Sequence, residues 1–487
     1  VTRRGGAGGG GALVLALVVA AVLAAAPAAA APALPLGHAG AWITDAGGRV
    51  VVLHGVNVVH KLAPYAPDAL GFGDDDAAFL ASEGYDAVRL GVIYAAVEPQ
   101  PGVYDDAYLR RIAATVAVLA RHRIATLLDF HQDLLGERFQ GEGFPDWAIR
   151  DDGLPAEPKA GFPGNYVGMP ALERAFDHLW RNDDGLADRY AAAWAHVARR
   201  FRDVPSVLGY DLFNEPWPGS AWPGCAQRSG CPGFDALLSA FFARSLAAIR
   251  AVDPTTLVFE EPNVLFNSGA PTLLADTGDA HTGLSFHDYC AAQELRTCRG
   301  PNEEVFANAR AHARRTGDAL LLTEFGATTQ GAVLTDMADR ADRFGVGWME
   351  WAYCGCGDPT TTGPGDEQAL VRDPRRAPTA PGNADAGKLA ALSRPYPRAV
   401  AGTPIRFGYA ARTHRFTLRY RTARADGRGA FGPRATTEIV LPRRAYPHGA
   451  RVRVRGAVVR SRPGSGVLTL TAIQGARTVA VAVAPRV

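Results

Sequence analysis

Between residues 50 and 351 the chain alternates two apolar patterns. Short continuous runs have the length and composition of strands buried on both faces: Val50–Asn57, Ala87–Val92, Ile124–Phe130, Val207–Asn214, Leu257–Glu260, Gly283–Phe286, Ala319–Thr323 and Gly345–Trp351. Amphipathic segments lie between them: Asp106–Arg121, Asp188–Arg200, Phe234–Ala251, Glu303–Arg315 and Leu334–Phe344. Their apolar positions recur three and four apart, which predicts helices with one buried stripe. Strand–helix alternation implies a parallel sheet, and eight repeats predict a closed (β/α)8 TIM barrel, an α/β fold. From about Ala399 the period changes to two, as in Arg415-Phe-Thr-Leu-Arg-Tyr and Arg451-Val-Arg-Val-Arg, with Gly, Pro and Asp between the runs. That predicts a small C-terminal antiparallel β-sandwich. The expected division is a signal segment over 1–33, a barrel over 34–394 and a sandwich over 395–487.

Two connections are long and rich in Gly and Pro. Residues 132–184 carry Phe139, Phe144, Trp147, Phe162, Tyr166 and Met169, and the second spans 352–383. Both follow strands, so both rise on the side where barrels keep their active sites. The aromatics of the first are candidates for an apolar groove or for a small core of the loop itself. Arg3 and Arg4, then an apolar run from Ala12 to Ala26, then Ala and Pro, form the layout of a secretory signal, with cleavage expected near Ala31–Ala33. Secretion is therefore expected. Six cysteines fit an oxidising compartment. Cys225 with Cys231 and Cys290 with Cys298 are expected as local disulfides, with Cys354 and Cys356 left to pair together. No histidine stands at ligand spacing beside them, so a zinc site is not expected. The net charge of +2 is unevenly spread: from Pro395 onward 18 arginines face only Asp426 and Glu438, a balance of +16 against −14 for the remainder. This segregation suggests an anionic surface as a partner and, without a binding motif, not nucleic acid. Nothing signals an oligomer, so a monomer is the default.

The chemistry sits at the strand ends. Asp211-Leu-Phe-Asn-Glu215-Pro and Leu321-Leu-Thr-Glu324-Phe-Gly each read as an apolar strand ending on a glutamate. Two carboxyls facing one barrel mouth are the minimum equipment for cleaving a glycosidic bond. Glu215 is the expected general acid/base, its pKa raised by the neighbouring carboxylate. Glu324 is the expected nucleophile, held ionised by Arg89. Other strand ends bring Lys61, His131, Asp133, His287, Tyr289 and Trp351 to the same mouth, Trp351 as the apolar face on which a sugar lies. Glu260 and Glu261 also end a strand and are expected to be structural or sugar-binding.

Arg89, His131, Asn214-Glu215-Pro216, His287-x-Tyr289, Glu324 and Trp351, in that order on eight strands, resemble glycoside hydrolase family 5. The resemblance implies a metal-independent, cofactor-free reaction that retains anomeric configuration through a covalent glycosyl-enzyme, with carboxyls about 5–5.5 Å apart. Gly55-Val-Asn-Val-Val-His-Lys61 with Pro64-Tyr65, Asp129-Phe-His-Gln-Asp133 and the terminal sandwich are most similar to the endoglycoceramidases within that family. Those enzymes cut the β-glycosidic bond between oligosaccharide and ceramide in glycosphingolipids presented by a membrane or micelle. By this resemblance Lys61 and Asp133 hold hydroxyls of the sugar next to ceramide, Asn214 binds its 2-hydroxyl, and Tyr289 supports the nucleophile. Both glucosyl- and galactosylceramide-rooted substrates fit. The alternatives are a family 5 endo-β-glucanase or mannanase, a β-glucosidase or glucosylceramidase, and a carbohydrate-binding protein without catalysis, which would lack one of the carboxyls.

Overall fold

The computed structural model describes residues 31–225, 227, 229–290, 300–361 and 365–486. Residues 1–30 of the segment read as a signal, and Cys298, lie outside them. Residues 31–487 form one compact unit.

Eight parallel strands close into a barrel in sequence order. They are β1 (His54–Val58), β2 (Ala87–Val92), β3 (Ala125–Phe130), β4 (Val207–Asp211), β5 (Leu257–Glu260), β6 (Thr282–His287), β7 (Ala319–Glu324) and β8 (Gly347–Glu350). The predicted runs fall on these strands within a few residues, apart from the first. Val50–Asn57 is not one strand. Val50 and Val51 pair antiparallel with Val400 and Ala399 of the terminal sandwich, and the chain enters the barrel only at His54. An apolar run that serves two buried sheets has no internal mark of the crossing.

Within the barrel, alternate residues face inward, and their chemistry changes with height. Ala87, Ala125, Leu257 and Ala319 are in an apolar inner cluster with Leu127, Phe259, Leu321 and Met349. Two residues above Ala87 stands Arg89, and two above Leu127 stands Asp129, so the same face turns polar toward the strands' C-terminal ends. Phe259 fills the barrel because its neighbours are glycines: a Cβ at Gly283 would lie 2.5 Å from its ring, and one at Gly209 3.0 Å. The outer helices obey the pattern that predicted them. Asp106–Arg121 buries Leu109, Ile112, Val116 and Leu119, and the Asp105 side chain caps it by accepting from the backbone N–H groups of Ala107 and Tyr108.

The sandwich contains β9 (Tyr396–Val400), β10 (Thr403–Ala410), β11 (Arg415–Arg421), β12 (Thr436–Val440), β13 (Ala450–Arg455), β14 (Ala457–Val459), β15 (Val467–Ala472) and β16 (Thr478–Pro485). One sheet runs β10-β11-β16-β13. The other runs β9-β12-β15-β14 and is extended past β9 by Val50–Val51, Trp42–Thr44 and Gly37–Ala39. The linear division at 34 and 395 is thereby corrected: the strands between Gly37 and Val51 belong to the sheet of the terminal sandwich. Arg49 reaches buried Glu438 at 2.8 Å, and His54 stacks between Tyr396 and Trp348, at 3.7 and 4.1 Å between centroids. Cys225–Cys231 and Cys354–Cys356 are disulfide-bonded.

The 132–184 connection is less structureless than its composition suggested. It folds into helices Gly164–Gly168 and Pro170–Trp180, and Phe139, Phe144, Tyr166 and Met169 are buried in the main core. Trp147 and Phe162 pack partly buried against that core, and Trp147 Nε1 donates to the Glu98 carbonyl. These aromatics join the main core of the barrel and do not form an open groove.

Candidate active site

Arg89 is the hub of the mouth. It is fully buried, and the position two before it on β2 is an inward alanine, so the guanidinium rises along the barrel axis. Its Nη1 donates to Glu324 Oε1 at 2.5 Å, Nε to Asp211 Oδ2 at 2.8 Å, and Nη2 to Asn214 Oδ1 at 2.9 Å. Asp129 Oδ1 lies 3.0 Å from Nη2. A planar fork with five donors suits four acceptors converging from different strands.

Glu324 and Glu215 sit above it, 4% and 8% exposed. Tyr289 donates its hydroxyl to Glu324 Oε2 at 2.7 Å. His287 Nδ1 lies 2.8 Å from Glu215 Oε1 and 3.5 Å from Glu324 Oε2, bridging the two carboxyls. Carboxylate oxygens of Glu215 and Glu324 and a ring nitrogen of His287 all lie within 4.8 Å of one another. That spacing fits the double-displacement geometry, in which one carboxyl attacks, and not the wider inverting one, which leaves room for water. Glu215 holds a left-handed backbone, φ 44°, unusual for a side-chain-bearing residue and fixed here by its neighbours. Its N–H donates to Glu261 Oε1 at 3.1 Å, and Gln132 Nε2 donates to the Asn214 carbonyl at 2.8 Å.

Burial, reinforced by Asp133, pushes Glu215 up to about 7. The expected direction holds, but burial and not the partner carboxyl is the main cause. Burial also raises Glu324 above the ordinary carboxyl range, against the pull of His287 and Arg89. Arg89 thus limits the rise but does not bring Glu324 below its usual value. Burial holds His287 down to about 3, so it stays neutral and its Nδ1–H can donate to Glu215. Burial and the Asp211 carboxylate raise Glu261 well above its usual value. Its Oε2 lies 3.5 Å from His287 Nε2. Glu261, expected to be structural or sugar-binding, therefore supports Glu215 directly through its N–H and borders His287 and Arg89.

A family model, "Cellulase (glycosyl hydrolase family 5)", matches residues 45–357, and "Glycoside hydrolase family 5 C-terminal domain" matches residues 394–483. The chain belongs to glycoside hydrolase family 5. It is 34% identical over 458 residues to Endoglycoceramidase I of Rhodococcus hoagii, covering 91% of this chain and 86% of that protein. Among solved structures it is similar to the lactosyl-enzyme intermediate of endo-glycoceramidase II from Rhodococcus sp., with a TM-score of 0.74 and 30% identity, covering 94% of this chain and all of the other. The ganglioside GM3 complex of the same enzyme gives a TM-score of 0.73 and 28% identity, covering 92% of this chain and 99% of the other.

Beside the family 5 carboxyl pair lies a second buried cluster. Lys61 Nζ donates to Asp133 Oδ2 at 2.6 Å and to Thr360 Oγ1 at 2.7 Å, and lies 3.3 Å from Asp358 Oδ1. Three donors thus meet three protein partners, so a sugar hydroxyl joins this cluster only by exchanging with one of them. Burial works against a charge on His131, but Asp129, 2.7 Å from Nδ1, overcomes it and lifts His131 to about 10. Its Nε2 has no hydrogen-bond partner and lies 3.8 Å from Asp133 Oδ2. Asn214 spends its oxygen on Arg89 and one N–H on the Gln132 carbonyl at 2.9 Å, which leaves one N–H for a ligand. Trp351 is only 6% exposed. Its Nε1 donates to Gln368 Oε1 at 2.9 Å, Lys61 Nζ stands 4.6 Å from its ring centre, and His131 stacks beside it at 5.3 Å. Little of the expected sugar platform is open.

The structure brings together every site residue read from the strand ends. Sequence reasoning missed Glu142, Asp358, Thr360, Gln132 and Asn267, whose Nδ2 donates to Glu215 Oε1 at 3.1 Å. Asp358 and Thr360 lie in the 352–383 loop already marked as functional by length. Among the described residues two sets, Glu215–His287–Glu324 and His131–Asp133–Glu142, have metal-ligand spacing. Each already holds a fixed cation, Arg89 or Lys61, which opposes a second one by charge.

Proposed function

We propose that this chain is a retaining endo-β-glycosidase that releases intact oligosaccharide from ceramide in glycosphingolipids. The observation that carries it is Glu215 and Glu324 within 4.8 Å, the first held near pKa 7 by burial and the second gripped by Arg89 and Tyr289. Similarity along nearly the whole chain to endoglycoceramidases, one of them solved as a lactosyl-enzyme, supports the substrate class. In the first step the Glu324 carboxylate attacks the anomeric carbon while Glu215 delivers its proton to the ceramide oxygen, which leaves as an alcohol. In the second, Glu215 takes a proton from water, the water displaces Glu324, and two inversions retain the configuration. Arg89 and Tyr289 orient the nucleophile, and His287 with Glu261 positions the acid. The spare Asn214 N–H serves the 2-hydroxyl, Lys61 and Asp133 serve hydroxyls of the sugar next to ceramide, and Trp351 lies against that ring.

We also infer that the protein is exported, on the N-terminal layout, and acts as a monomer on glycolipid in a membrane or micelle. Protein sequencing of the extracellular form and light scattering test those points. Mass spectrometry of products from ganglioside, lactosylceramide and galactosyl-series glycolipids, beside Glu324→Gln, tests the reaction. Intact oligosaccharide with free ceramide, absent in the variant, is the expected result. Release of outer monosaccharides, or hydrolysis of mannan or carboxymethylcellulose instead, overturns it.

A further inference from the structure

The outer face of the β10-β11-β16-β13 sheet carries a pattern the chemistry above does not use. Strand registers align Arg406, Arg419, Ala480 and Arg455 across the sheet, and next to them Gly408, Thr417, Ala482 and Arg453. Directly paired residues share a face. Arg415 and Arg421 extend the row on β11, and Arg451 extends the row on β13. Seven exposed arginines therefore flank a floor of alanines. The rows stand about 9.6 Å apart, two strand spacings, with arginines about 6.8 Å apart along β13. None of the seven has a carboxylate within ion-pair distance among the described residues. From 395 onward the two acidic residues are Asp426, which pairs with Arg424, and Glu438, buried between Arg49 and Arg398.

At the β13 edge the face opens into a cavity of about 700 Å³ lined by Arg443, Arg451, Arg453, Arg462, Arg486 and His448. Val459 lines the same cavity, 42% exposed, and Ile405 stands beside Arg406 at the opposite edge, 41% exposed. Seven unneutralised guanidiniums on one open face are costly to hold together unless something anionic covers them. A bilayer surface of anionic phospholipid supplies phosphates to the two rows and the cavity, and an interface for the aliphatic tips. A polyanionic chain offers those tips nothing.

We propose that this sheet face docks the protein onto anionic phospholipid surfaces, with the arginine-lined cavity as a headgroup site. This adds a surface to the proposed action on membrane-borne glycolipid and is tested without glycolipid, so the two ideas fail separately. The full chain is sedimented with phosphatidylcholine vesicles, with and without phosphatidylglycerol, at low and physiological ionic strength. The expected result is binding only to the anionic vesicles, weakened by salt. Arg415→Gln, Arg419→Gln, Arg453→Gln and Arg455→Gln, combined, should weaken it about fivefold per arginine removed. Turnover of a soluble aryl glycoside should be unchanged, which shows that the variant is folded. Equal binding to both vesicle types, or undiminished binding by the variant, overturns the proposal. Retention of the wild type on heparin without vesicle binding overturns it too and assigns the face to polysaccharide.

Discussion

Glu215→Gln separates the two effects of burying this carboxyl. In the folded protein Glu215 titrates near 7, against the ordinary 4.5 that it regains on unfolding. A folded pKa raised in this way adds stability that is fully present below about 4.5 and is lost as pH rises to about 7. The difference corresponds to about 3 kcal/mol. Gln stays neutral in both states and has no such slope. Urea unfolding of wild type and variant across this range should show the variant gaining about 3 kcal/mol on the wild type between pH 4.5 and 7, then a plateau. Kinetics supply the second readout. Without its proton donor the variant should lose about 10²–10⁴-fold in glycolipid turnover. Formation of the glycosyl-enzyme from a dinitrophenyl glycoside, whose leaving group needs no proton, should survive. The wild-type rate should fall as pH rises through about 7, because Glu215 must be protonated for the first step. A pH-independent stability difference between the two proteins would refute the burial argument. A variant that still cleaves glycolipid at the wild-type rate would refute the assignment of the acid.

Arg89→Ala leaves Glu324, Asp211 and Asp129 without their shared cation and should cost about 3–5 kcal/mol, read by chemical denaturation, with turnover lost. Tyr289→Phe removes one hydrogen bond to the nucleophile, so kcat should drop about 10- to 100-fold with little change in KM; an unchanged kcat would exclude Tyr289 from orienting Glu324. Gly283→Ala pushes a methyl against the Phe259 ring inside the barrel and should cost about 1–3 kcal/mol. A melting temperature equal to the wild type would show that the ring can move.

The terminal runs of the chain show where one-dimensional pattern stops. Period-two alternation marked β11 and β13, because one face of β11 is buried and one face of β13 half-buried while the other face of each is solvated. It missed β9, where Pro397 and Arg398 interrupt the apolar positions and Arg398 is committed to Glu438 at 2.6 Å. It also could not divide Val50–Asn57, since residues buried in either sheet look alike. The site divides in the same way. Glu215, Glu324, Arg89 and His287 were legible because each ends or lines an apolar strand, where an idle polar group is costly. Asn267, Glu142 and Thr360 were not, because the first sits in a short 3-10 helix and the others in loops, whose paths no periodicity records.

By itself, then, the sequence determined the barrel, the appended sandwich and the strand ends that carry chemistry, because burial imposes continuous apolar runs on the barrel strands and a period on the helices and sandwich strands. Only the tertiary structure decided which cation serves which carboxylate. Arg89, read from the sequence as the partner of Glu324, also binds Asp211 and Asn214, and Lys61 is held by Asp133, Thr360 and Asp358 from two distant loops. The tertiary structure also decided the direction in which Glu215, Glu261 and His287 shift, the two carboxyls up and the imidazole down. Those shifts follow from burial, which depends on what the rest of the fold packs around a side chain and not on its neighbours in sequence.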